Sequence, residues 1–322
     1  MIEEDKIPPE IEDEKPVGEQ GILISVIPPV TTAFIALIGI FLLYQLGGAL
    51  LTIMIFGINI VKADVNAIRL FTVGGQFLLL LFPALLLAYY VYPGNTSYIL
   101  RARFPSLKEI GLFMVGLIIL TPLLQNFLAI QNFILQKIAA VSPFVKNITD
   151  MLDELDKLVE KTYGSLLTSH SIFESSFIIF VVAVVPALCE ETLFRGLVQK
   201  SFEQRLKPVL SIIITAVFFG LYHFNPYGLI PLIALGAFFG FAAYISDSIF
   251  VPMALHFINN FIAVLAFLIL GSDELLSAAA AKTDAIMPQL ISFIIFGTFF
   301  FFYLFYLKNN YNRIVYKKEE TI

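Results

Sequence analysis

The chain has no tryptophan, a single cysteine, only three histidines and few charges. One cysteine, Cys189, excludes an internal disulfide and a cysteine-based zinc site. Without tryptophan, any aromatic belt at a membrane boundary must rest on tyrosines such as Tyr89, Tyr90 and Tyr92. Charged residues make up 14% of the 322 residues and apolar ones 58%, and mean hydropathy is +0.87. A soluble domain of this size does not need so much apolar surface. Tight apolar–polar alternation is missing, so the membrane segments read as helices and not as barrel strands. Nor is there a basic excess: the net charge is −5, which gives no hint of a nucleic-acid partner. The opening "MIEEDKIPPEIEDEKPVGEQG" lacks the basic start and apolar core of a secretory signal. Residues 1–20 read as a disordered acidic tail.

What is present is a series of apolar runs long enough to cross a bilayer core, which takes about 20 helical residues. The expected fold is all-α: a polytopic membrane bundle of about eight transmembrane helices. The runs are Ile22–Val61, with the helix proper starting near Val30 after Pro28-Pro29, then Phe71–Tyr92, Ile110–Gln131, and one from Ile172. They continue with Val209–Tyr222, Gly228–Ile245, Ile249–Leu270 and Ile286–Tyr306. The first could be one long tilted span or a span plus an interfacial piece. Within 132–171, Met151, Leu152, Leu155, Leu158 and Val159 fall at helical spacing among carboxylates and lysines. That pattern predicts an amphipathic helix lying on the membrane or capping the bundle. "LVQKSFEQRLKP" reads as a short polar connection, and "GAFFG" (Gly236 to Gly240) as a close helix contact. Phe238, Phe239 and Phe241 read as packing or lipid-facing residues. The chain thus divides into the tail, helices and connector over 21–171, a core over 172–270, and a last span with a basic tail over 271–322. With both termini cytoplasmic, thirteen basic residues fall inside and seven outside, which favours that orientation.

"LCEETLFRG", Leu188 to Gly196, sets two carboxylates and an arginine after an apolar run. On a helix Glu191 and Arg195 are i,i+4 and can pair, which lowers the cost of burying either. Glu190 lies about 100° around the helix, beside the small Ala183 and Ala187 and beside Phe194. His223 ends "FFGLYH", one turn after Phe219, and His256 stands one turn before Asn260 in "VPMALHFINNF". His170, in the polar segment ahead of the fourth span, lacks a matched partner and reads as structural. Each of these residues alone could be an interfacial or core polar group. Together, a carboxylate, two histidines and an amide are most cheaply accommodated facing one another across a shared polar cavity. A carboxylate and a histidine can activate water, and a second histidine with an amide can stabilise an oxyanion. That describes a hydrolase of amide bonds. The same Glu190, His223 and His256 could hold zinc or another divalent cation, which takes three protein ligands and a water at catalytic sites. The sequence leaves both mechanisms open. A proton-relay transporter is the alternative in another class, since intramembrane Glu and His also mark such pathways. A non-proteolytic membrane binding or immunity protein is a third reading.

"EETLFRG", "FGLYH" and "HFINN" follow the patterns E-E-x-x-x-R, F-x-x-x-H and H-x-x-x-N in order. In this the chain resembles the CPBP family, the type II CAAX prenyl proteases and Abi-type proteins, over about residues 172–270. The resemblance implies an intramembrane endopeptidase acting on a peptide or membrane-protein substrate, prenylated or leader-bearing. It implies Glu190 as general base working with His223, His256 and Asn260 at the scissile carbonyl, and Glu191 and Arg195 as a supporting pair. It also implies either a bound metal or a glutamate-activated water without one.

Overall fold

The computed structural model describes residues 25–58, 63–270 and 286–316. The acidic tail expected over 1–20 and the end of the basic tail lie outside them. Among the described residues the structure is helical, with no strand. Seven helices are long and apolar enough to span a membrane: α1 Pro29–Phe56, α2 Val65–Val91, α3 Leu107–Ala139, α5 Ile172–Glu203, α7 Leu229–Ser246, α8 Phe250–Leu270 and α9 Ile286–Val315. Two more stand between them, α4 Pro143–Leu167 and the shorter apolar α6 Pro208–Tyr222. The protein is therefore a multi-pass membrane bundle. Of the eight apolar helices expected, α6 falls short of a full span, since 15 residues reach only about 22 Å. Phe224, in left-handed backbone at φ 47, ends it, and the Asn225 side-chain oxygen then accepts the Gly228 amide at 2.7 Å, closing a turn into α7.

Local chemistry sets the helix ends. Pro29 starts α1, where its missing N–H costs nothing, and Gly57, at φ 76, stops it. Within the described residues the first apolar run is thus one helix, Pro29–Phe56. Asp64 caps α2 through the Ala67 amide at 2.8 Å. Ser106 and Glu109 form a reciprocal capping box at the start of α3. Such caps contribute about 1 kcal/mol each.

Helix α5 runs through the middle of the bundle. One apolar cluster joins it to α1, α2 and α6 around Leu37, Leu80, Phe194 and Phe219. A second joins α3, α7, α8 and α9 around Phe113, Phe239, Leu255 and Leu307. Phe238 and Phe239 are buried, so they pack inside the bundle and do not line an open groove.

The segment read as a polar connection, 197–208, is corrected by the structure. Helix α5 continues to Glu203, with Gln199, Lys200 and Ser201 buried. Their polar atoms find partners that the linear sequence does not show. Lys200 Nζ donates to Asp247 at 2.8 Å and lies over the Tyr98 ring. Arg101 pairs with Glu203. Tyr92 donates to Ser201 at 2.8 Å, and burial pushes its phenol above the usual tyrosine range. Arg101 and Asp247 both adopt left-handed backbone, φ 53 and 45, where the chain turns to deliver these charges. Ion pairing is what permits a helix end of this polarity to be buried.

Candidate functional site

The two adjacent carboxylates point into different surroundings. Glu191 is sealed: its side chain has 0% exposure, as does that of Arg195. Arg195 donates to Glu191 Oε1 at 2.9 Å, one helical turn away, and to the Gly236 carbonyl at 2.9 Å. Its guanidinium lies 4.3 Å from the Phe219 ring centroid and 5.5 Å from that of Phe239. His256 Nδ1 makes a 2.7 Å bond to the same Glu191 Oε1. Because the carboxylate accepts, that nitrogen carries the proton. The His256 ring stacks on Phe239 at 5.5 Å and meets Phe219 edge-on at 5.9 Å.

Glu190 is on the open side. Its side chain is 17% exposed and that of His223 is 25% exposed. Glu190 Oε2 and His223 Nε2 face each other at 4.0 Å, and Glu190 Oε2, itself buried although the side chain is partly exposed, has no hydrogen-bond partner. His223 Nδ1 contacts the Phe219 carbonyl at 2.7 Å. A carbonyl only accepts, so Nδ1 holds a proton and Nε2 is the nitrogen turned toward Glu190. Two polar atoms 4.0 Å apart can be bridged by one water about 2.8 Å from each.

Phe219 connects the two sets. Its carbonyl orients His223, while its ring covers Arg195 and abuts both histidines. Asn260 donates to the Val182 carbonyl at 3.0 Å. Val182 precedes Glu190 by eight residues, about 12 Å along α5, so Asn260 meets that helix roughly two turns from the carboxylate. His170 is exposed and away from these groups, and its backbone amide donates to Glu174.

Among the described residues no three of His, Cys, Asp and Glu converge at metal-ligand spacing. Glu190 and His223 approach each other, and His256 spends Nδ1 on Glu191, which leaves its Nε2 as the nitrogen for any further partner.

Several contributors have no charge to flag them. Gly236 and Gly240 let α7 approach α6 and α5, so that a methyl group at Gly236 would meet Phe219 of α6 at 2.9 Å and one at Gly240 would meet Gln199 of α5 at 2.7 Å. Their carbonyls then accept Arg195 and Gln199, both at 2.9 Å. The "GAFFG" pattern had signalled the close contact. From α1, Leu37 accepts the Tyr222 hydroxyl at 2.6 Å, and Gln45 reaches the Tyr222 carbonyl at 3.4 Å. Phe41 packs on Tyr222 and Phe224. These α1 contacts flank His223 from 180 residues away, and no sequence motif announces them.

Residues 172–262 match the family model for Rce1-like proteins, described as type II CAAX prenyl endopeptidases. Over this stretch, less than a third of the 322 residues, the chain is similar to that family. The match contains Glu190, Glu191, Arg195, Phe219, His223, His256 and Asn260, together with both glycines that seat Arg195 and Gln199. The Rce1-like core thus coincides with α5 to α8, while Phe41 and Gln45 are supplied by a helix outside it. Comparison with curated proteins and with solved structures gave no match.

Proposed function

We propose that this protein is an intramembrane endopeptidase in which Glu190 and His223 activate a water for attack on a peptide bond. The observation that carries this reading is the facing pair at 4.0 Å, with its partnerless Glu190 oxygen and with His223 Nδ1 anchored so that Nε2 faces that oxygen. Glu190 takes the proton of the water, His223 orients it, and general-base assistance of this kind is worth about 10²–10⁴ in rate. His256, held by Glu191 through Nδ1, turns Nε2 toward the scissile carbonyl. Arg195 neutralises Glu191, and Asn260 ties α8 to α5 so that His256 keeps its place. By the family's description the substrate class is a membrane-associated peptide with a CAAX-type C-terminus; a leader-bearing peptide is the variant to compare. Both termini lie on the cytoplasmic side in this reading, as the basic residues suggest, which requires the short α6 to cross with the other seven helices.

The test uses purified wild type, Glu190→Gln and His223→Ala, each incubated with prenylated C-terminal peptides and leader peptides, with and without chelator. Cleavage by wild type that both variants lose is the expected result. Normal cleavage by Glu190→Gln would remove the assignment. If Glu190→Gln still captures a peptide that wild type binds and does not cut, the protein is a binding module. Chelator-insensitive cleavage supports the metal-free water. Loss on chelation and recovery with zinc would assign a metal to Glu190 and His223, with His256 Nε2 as the third ligand.

A further inference from the structure

Helix α4 divides its surface among three environments. At about 100° per residue, Phe144, Ile148, Met151, Leu155 and Leu158 fall within one sector of roughly 80°. All five are exposed, Phe144 at 74% and Leu158 at 62%. About 110° around the helix, a second exposed sector carries Lys146, Asp150, Glu154, Lys157 and Lys161. The third sector faces the bundle. There Asp153 accepts the Tyr227 hydroxyl at 2.5 Å, and Asp156 and Leu167 are buried. The end of the helix is clamped as well: Arg69 of α2 donates to the Leu166 carbonyl at 2.9 Å and to the Thr168 carbonyl at 2.5 Å.

An exposed apolar stripe next to an exposed charged stripe is what a helix lying at a lipid–water boundary requires. The occupant of the stripe follows from its surroundings. Short connections tie α4 at both ends to membrane-spanning helices, Ala139 of α3 on one side and Ile172 of α5 on the other. The adjoining ends of those helices expose large apolar side chains too, Ile134 and Ile138 of α3 and Ile172 and Phe173 of α5. We propose that α4 is an in-plane helix whose Phe144–Leu158 stripe is embedded in the bilayer surface. Its charged sector stays in water, and Tyr227 ties it to the turn that follows His223. The exposed charges of α4 are mixed in sign, so the apolar stripe drives the seating and zwitterionic lipid suffices.

Single cysteines placed at Met151, Leu155, Leu158, Glu154 or Lys157 test this in the full chain. All five positions are exposed, so folding is preserved, and the native Cys189 is buried. Each new thiol carries a nitroxide, and the protein is reconstituted in phosphatidylcholine vesicles. Collision rates are measured with oxygen, which concentrates in lipid, and with a water-soluble nickel chelate. The expected result is an oxygen-to-nickel ratio several-fold higher at 151, 155 and 158 than at 154 and 157. Equal ratios at all five positions would place the stripe in water and overturn the proposal. Low collision with both reagents at the stripe would mean that protein covers it, and would overturn the proposal equally.

Discussion

Neutralising Glu191 leaves Arg195 as a buried charge with no counterion, and the cost can be worked out from its contacts. The Glu191→Gln variant keeps the shape of the side chain and removes the 2.9 Å ion pair, while Arg195 retains the Gly236 carbonyl and the faces of Phe219 and Phe239. Removing one partner of a buried pair costs about 3–5 kcal/mol. The ring contacts return at most about 2 kcal/mol, and they are present before and after the change. A loss of about 3 kcal/mol is therefore expected. Arg195→Met, which strands the carboxylate with only His256 as a partner, should cost a similar amount. The double variant removes both charges and should lose much less than the sum, giving a coupling of about 2 kcal/mol or more. Reversible unfolding in mixed micelles measures all four proteins. Peptide cleavage should stay low in the double variant despite its recovered stability, because His256 Nδ1 no longer has a carboxylate to fix its ring. Single variants each costing under about 1 kcal/mol, with simple additivity in the double, would refute the buried-pair reasoning.

Gly236→Ala places a methyl group 2.9 Å from the Phe219 ring and 3.3 Å from an Arg195 nitrogen. It should destabilise by about 1–3 kcal/mol and lower turnover further by shifting Phe219, whose carbonyl orients His223; unaltered turnover would show that this carbonyl does not matter. Asp247 sits at φ 45 and receives Lys200. Asp247→Asn keeps a residue that tolerates this backbone and should cost about 1 kcal/mol, given that the carboxylate is nearly half exposed. Asp247→Ala should cost about 1 kcal/mol more through backbone strain, an ordering that unfolding midpoints would reveal. Tyr222→Phe removes the 2.6 Å bond to Leu37 and should cost about 1 kcal/mol. If α1 forms a wall of the site, KM for a peptide substrate rises in this variant more than kcat falls.

The residues that carry charge were legible because the spacing of a helix is fixed. The i,i+4 relation alone foretold the Glu191–Arg195 pair, and the 100° offset foretold that Glu190 would face elsewhere. What stayed hidden depends on how one helix is turned about its axis against another. Nothing in "HFINN" says that His256 gives its Nδ1 to Glu191 and not to Glu190. The end of α5 was misread for a related reason. Gln199, Lys200 and Glu203 look like a solvated connection until Arg101, Asp247 and Gly240 arrive from distant segments to satisfy them. Hydropathy measures cost without partners, and here the partners are non-local. For α4 the sequence supplied amphipathicity but not the third face, because its inward contacts, Asp153 to Tyr227 and Arg69 to Leu166, join residues 74 and 97 positions apart.

The adjacent placement of Glu190 and Glu191 now has a physical reason. A membrane-embedded carboxylate is costly unless it is paired, and a carboxylate that is fully paired has no free oxygen for a water. One residue cannot satisfy both demands, and two on neighbouring faces of the same turn can. Glu191 is enclosed and shared by Arg195 and His256, which fixes α5, α7 and α8 against one another. Glu190 inherits that rigidity without its partners, and its free oxygen stays opposite His223. The arrangement predicts asymmetry between the two carboxylates. Glu190→Gln should leave stability nearly unchanged and remove cleavage, whereas Glu191→Gln should reduce both, and unfolding and turnover measured on the same preparations separate the two. If Glu190→Gln unfolds as readily as Glu191→Gln, the open carboxylate is structural after all, and the facing pair loses its claim to the chemistry.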